Sequence, residues 1–203
     1  RRLNGARPLV AAAARRHAVA ERLAAHGLAA LVPSAALPGR VPRTAEGTTL
    51  ETPEGSVSGL AIPTGITLFV TNGIAGAGAW LRDLVAPSAA AGERSAILAG
   101  PVATLRASRR AFGPLDVRAF VKACADVPNP EAYVTEDGPA PLAVAASLIE
   151  AIEAGARVIV LDEDEVPAGA FTSAYRLQGL LGGEAPLVPL AERLPELRDR
   201  WGL

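Results

Sequence analysis

The sequence predicts an α/β fold with a mainly parallel sheet flanked by helices, and three observations carry that prediction. Ile66-Thr67-Leu68-Phe69-Val70 is a β-branched and aromatic run that enters a glycine-rich loop, Thr71–Gly78, and then an amphipathic stretch, Ala79–Ala86. Leu142–Ala154 repeats apolar residues at helical spacing, Gly155 stops it, and Ala156–Leu161 follows as an apolar strand. That strand ends in four carboxylates, Asp162-Glu163-Asp164-Glu165. Strand–loop–helix and helix–strand units of this kind are the parts from which βαβ sheets are built.

The elements follow in chain order. Arg15–Ala25 reads as a helix with Val19, Leu23 and Ala24 on one face, and Gly27 is a good stop behind it. Leu28–Val32 is a short apolar strand, and Pro33–Thr49, with three prolines and two glycines, reads as a loop. Gly59–Pro63 leads to a turn at Pro63-Thr64-Gly65 and so into the Ile66–Val70 strand, for which a buried position is expected. Ala79–Ala86 carries Trp80, Leu81, Leu84 and Val85 on its apolar side. Ala96–Ala99 and Val102–Arg106 look like the two arms of a hairpin, Leu115–Val121 is short and mixed, and Asp126–Gly138 reads as a polar loop. Beyond the second buried strand, Phe171–Leu181 is expected to be helical, Gly182-Gly183 stops it, and Val188–Arg200 is a final amphipathic helix.

Composition removes several function classes. Twenty basic against 21 acidic residues give a net charge of −1, which argues against a general nucleic-acid binder. Aromatics make up only 4 %, too few for base-stacking platforms. The single cysteine, Cys124, excludes a disulfide framework and a cysteine-rich zinc site and fits a reducing, cytoplasmic setting. No uncharged apolar run reaches the ~18 residues a membrane span needs. His17 and His26 flank a helix and read as surface residues. The chain holds 19 arginines and one lysine, Lys122, so any mechanism that needs an active-site lysine depends on that residue.

Two constellations bear on chemistry. Backbone N–H groups of a glycine loop can converge on an anion, and the following helix adds its positive end. A phosphate loop of the form G-x-x-x-x-G-K-S/T also supplies a lysine for the phosphates and a hydroxyl for Mg2+. Gly73 and Gly78 have the glycine spacing, but Ala79 and Trp80 follow; ending the loop at Gly76 puts Ala77 and Gly78 in those places. Neither register contains a lysine or a hydroxyl, and the same glycines suit a tight turn with no ligand. The loop also resembles that of short-chain dehydrogenases, but the Tyr-x-x-x-Lys pair of that chemistry is absent: Tyr133 and Tyr175 are followed four residues later by Asp137 and Gly179. The second constellation is the acidic strand end. An apolar strand running into Asp162-Glu163 has the form of the second nucleotide motif of phosphate-loop ATPases, in which the Asp holds Mg2+ and the Glu orients the attacking water. Four adjacent carboxylates also suit a solvated loop.

In their order, these features resemble the predicted ATPases of the ABC class, a bacterial and archaeal family with relatives in kinetoplastid RNA editing. The strongest stretch is Leu148–Asp164, where the family has a helix ending in E-A-L-E-A-G-A, a buried strand and D-E-D. Tyr175–Leu180 is similar to its R-R-M-Q-A-L segment, Gly59–Leu68 to its G-M-G-I-P-K-G-V-T-L run and Gly27–Val32 to its G-L-V-A-F-V segment. The resemblance implies a P-loop NTPase-like α/β fold, ATP with Mg2+ as ligands, and a site in which Gly73, Gly76, Ala77 and Gly78 form the phosphate loop, Asp162 holds the metal and Glu163 acts as the catalytic base. It implies two parts: residues 1–45, a helix–strand and Pro-rich segment, and residues 46–203, the ATPase-like domain.

This chain departs from the family on the chemistry. The family's G-G-G-Y-H-G-K-S-T lays Ala77 on the lysine and Gly78 on the Mg2+ hydroxyl, and its S-G-S-T-S-Q signature falls on Pro139–Val144, where every hydroxyl is gone. The family continues into a further core strand near Leu203, so the expectation is a shortened paralogue or a fragment. The expected function is weak or lost nucleotide binding with hydrolysis near background. The alternatives are a non-enzymatic pseudo-ATPase kept as an interaction or regulatory module, with a protein partner or a second copy, and an inert shortened copy.

Overall fold

The computed structural model describes residues 3–37, 47–70, 77–86, 95–106, 110–121, 127–166, 170 and 188–202. The chain divides into two compact units, Arg1–Val102 and Ala103–Leu203.

The first unit is a four-stranded antiparallel sheet of order β2-β3-β1-β4, built from β1 (Leu28–Pro33), β2 (Gly47–Thr52), β3 (Gly55–Pro63) and β4 (Ile97–Leu98). Alternation along β1 sends neighbouring residues to opposite faces. Leu31 joins Val19 and Leu23 of α1 (Leu3–Leu23) together with Leu50 and Ile97, whereas Val32 packs with Leu84, Trp80 and Leu81 of α2 (Ala77–Val85). Each face of the sheet is thus closed by one helix. Arg16 fastens α1 to the start of β4: its Nη2 donates to the Ser95 carbonyl and hydroxyl at 3.0 and 2.8 Å and to the Ala96 carbonyl at 2.8 Å.

Helix α1 begins well before the expected Arg15, and Gly27 ends the turn behind it at φ 65, as its lack of a Cβ permits. Strand β1 is hydrogen-bonded to β3 within this unit.

Three expectations are corrected here. The end of the expected loop Pro33–Thr49 is part of strand β2, which forms a hairpin with β3 around Pro53-Glu54. The expected hairpin of 96–106 does not form: β4 pairs with β1, and β5 (Val102–Leu105) pairs with a strand far along the chain. Ile66–Val70 is no buried strand: it has no regular structure, and Leu68 and Val70 are each 82 % exposed. Its β propensity is satisfied only by a partner strand, and residue preference alone does not supply one. Phe69, itself 36 % exposed, meets Trp80 edge-on with ring centroids 5.3 Å apart.

The second unit combines the parallel pair β5–β8 (Val158–Leu161), the antiparallel hairpin β6 (Arg110–Leu115)–β7 (Tyr133–Pro139), α3 (Ala140–Glu153) and α4 (Leu190–Trp201). The α/β class therefore holds, while the larger sheet is antiparallel and the parallel pairing is that of β5 with β8. Strand β7 replaces the last six residues, 133–138, of the expected polar loop 126–138. Its Tyr133, Val134 and Thr135 are strand formers, and the acids Glu136 and Asp137 face solvent. Helix α3 forms where expected, buries Leu142–Ala146, Leu148 and Ile149, and is followed by Gly155 at φ 88. Its apolar face meets Leu105, Leu115, Val117, Phe120, Leu190 and Leu197 in one core. Helix α4 also lies where the final amphipathic helix was expected; the expected helix at Phe171–Leu181 lies outside the described residues.

Candidate functional site

Of the glycine loop, Gly73 and Gly76 lie outside the described residues, whereas Ala77 and Gly78 are the first two residues of α2. The first N–H groups of a helix have no acceptor within it and carry the positive end of its dipole. No acidic residue stands in this first turn. The two positions that a phosphate loop would give to lysine and hydroxyl therefore supply backbone donors only.

At the other constellation, β8 delivers Asp162 at its carboxyl end. Asp162 is only 9 % exposed and sits in extended backbone ahead of a 3₁₀ turn, Glu163–Glu165. Its Oδ1 accepts from the Asp164 N–H at 3.2 Å, and its backbone carbonyl accepts from the Glu165 N–H at 3.0 Å. Aspartate is among the best residues for capping a turn in this way, because a short side chain returns an acceptor to the N–H two residues on. Glu163 opens the turn. Glu165 is held by Arg106, whose Nε lies 2.8 Å from its Oε2. Arg106 is the residue directly after β5. Sequence reasoning missed it, since an arginine after a short strand carries no local sign of a partner so far along the chain.

The family's signature positions, Pro139–Val144, end β7 and open α3. Leu142, Ala143 and Val144 are buried there among apolar neighbours. This segment is committed to packing.

These observations test a Mg2+ site. Magnesium takes oxygen ligands from one or two carboxylates and from substrate phosphates. Here Asp162 is engaged by its own turn, Glu165 by Arg106, and the hydroxyl position is Gly78. Among the described residues no three His, Cys, Asp or Glu side chains are grouped so that they could share a metal. Among the described residues the donor set does not fit a Mg2+ site.

If Asp162 is a cap, its oxygen matters more than its charge. Asp162→Ala is expected to lower stability by about 1 kcal/mol and Asp162→Asn by less than half of that, as read from denaturant midpoints.

An α/β chain with a glycine-rich entry to one helix and an acidic strand end belongs with the nucleotide-binding P-loop domains. Residues 10–203 match the family model described as ABC_ATPase: P-loop domain, and the chain belongs to that family. This bears out the resemblance carried by the Leu148–Asp164 stretch. Members of P-loop NTPase families generally bind nucleotide and Mg2+. No curated protein matches the chain. Among the described residues no helix is long and apolar enough to cross a membrane.

Proposed function

We propose that this chain is a divergent ABC-class ATPase domain in which nucleotide binding is weak or lost and ATP hydrolysis runs near background. The observation that supports this reading is the start of α2: Ala77 and Gly78 stand where the family has a lysine and a Mg2+-binding hydroxyl. Phosphoryl transfer is almost wholly a matter of positioning and charge stabilisation. Removing one electrostatic donor of this kind costs roughly 10²–10³ in rate. Here a cation, a metal-binding hydroxyl and the signature hydroxyls are all replaced. In this reading Gly73, Gly76, Ala77 and Gly78 form a phosphate loop with backbone donors alone, and Asp162 and Glu163 keep the places of the metal-holding acid and the water-orienting base.

Titration with labelled ATP, with and without Mg2+, tests the proposal. The wild type is expected to bind in the millimolar range, and to release phosphate no faster than Glu163→Gln. Ala77→Lys with Gly78→Ser is expected to tighten ATP binding by at least about tenfold, the effect of one favourable charge contact. Phosphate release well above the Glu163→Gln control would refute it.

The second reading is a pseudo-ATPase that serves as an interaction or regulatory module. The burial of Leu142, Ala143 and Val144 favours it, because the segment's packing is kept where its hydroxyls are gone. Complete absence of ATP binding in a cooperatively melting chain selects this reading.

A further inference from the structure

The end of β8 concentrates charge. Asp162, Glu163, Asp164 and Glu165 are consecutive, and like charges held this close along the chain repel one another. In a nucleotide site a divalent cation compensates such charge, but the donors here do not fit one. A different positive group is present. Strands β5 and β8 run parallel, so their carboxyl ends lie side by side, and the residue that leaves β5 is Arg106. Antiparallel pairing would have placed it at the opposite end of β8. Its Nε reaches Glu165 Oε2 at 2.8 Å, while the Asp162 carboxylate accepts from the Asp164 N–H at 3.2 Å. A carboxylate beside a guanidinium is a poor metal ligand, because binding a cation there means displacing the arginine or accepting its repulsion.

We infer that Arg106 supplies, from within the chain, the positive charge that a divalent cation would otherwise bring to the end of β8. The acidic turn is then complete without metal. This deepens the proposed reading of the site, and it rests on that reading only in expecting a cation at this strand end.

Arg106 is 56 % exposed, and an exposed ion pair contributes little to folding. Its charge can therefore be removed from the folded chain. The probe is Mn2+, followed by water-proton relaxation, on the full chain without nucleotide. The wild type is expected to show no binding that Asp162→Asn abolishes. Arg106→Gln is expected to bind Mn2+ at least about tenfold more tightly than the wild type, the change that one unit charge makes at this spacing, and Arg106→Lys is expected to match the wild type. Equal Mn2+ binding by wild type and Arg106→Gln overturns the inference. If Arg106→Gln fails to fold, the wild-type arm still decides: Mn2+ binding that is lost in Asp162→Asn overturns it, and its absence supports it. Phosphate release well above the Glu163→Gln control sinks the proposed reading and leaves this inference standing, so the two failures are distinguishable.

Discussion

Gly59→Ala is expected to dismantle the four-stranded sheet. Gly59 lies in β3 directly opposite Pro33 of β1. A Cβ on it would stand 2.7 Å from the Val32 carbonyl carbon, 2.9 Å from Pro33 Cα and closer still to the Val32 oxygen. All three are backbone atoms, so no side chain can rotate away and the strands must separate. Overpacking a tight interior costs about 1–3 kcal/mol where neighbours can yield, and this site belongs at the upper end or beyond. Against a total stability of ~5–15 kcal/mol, that is a large share. The loss should concentrate in the first unit. Hydrogen exchange is the measurement: β1, β2 and β3 amides should lose protection while α3 keeps it. Wild-type protection in β1 and β3 of the variant would show that the strands can part locally at little cost.

Leu148→Ala is expected to cost about 2–5 kcal/mol, the usual range for removing a buried leucine from a core that cannot collapse around the gap. Leu148 is 1 % exposed on α3 and belongs to the core that also packs Ile159 and Leu161 of β8. The same change should therefore loosen the strand that delivers Asp162. A denaturant midpoint gives the stability loss. Exchange at the Asp164 and Glu165 amides, which donate to Asp162, gives the effect on the turn. A loss below about 1 kcal/mol would mean that the core relaxes to fill the space.

The parts of the fold legible in the sequence are those whose signal is local. Apolar spacing in Leu142–Ala154 marked α3, and Gly155 marked its end because a left-handed residue was needed there. Leu28–Val32 as a strand and the final amphipathic helix were equally plain. Strands β2 and β7 were not, because polar strands with one solvated face carry little apolar signal and exist through their hairpin partners. Ile66–Val70 failed in the opposite sense: its residues favour a strand, but a strand also needs a neighbour with free hydrogen-bonding groups. The acid pair at the end of β8 was legible as a pattern, whereas the capping of the turn by Asp162 and the capture of Glu165 by Arg106 were not.

By itself the sequence determined the family, the helix and strand that lead to Asp162, and the absence of a lysine and a hydroxyl at Ala77 and Gly78, since each depends on residue identity and near-neighbour spacing. Only the tertiary structure decided which strands pair, that the signature positions Leu142–Val144 are buried in a core, and that an arginine leaving β5 meets Glu165 beyond β8. Those outcomes depend on contacts between residues distant in the chain, and local preferences carry no information about which distant group will arrive.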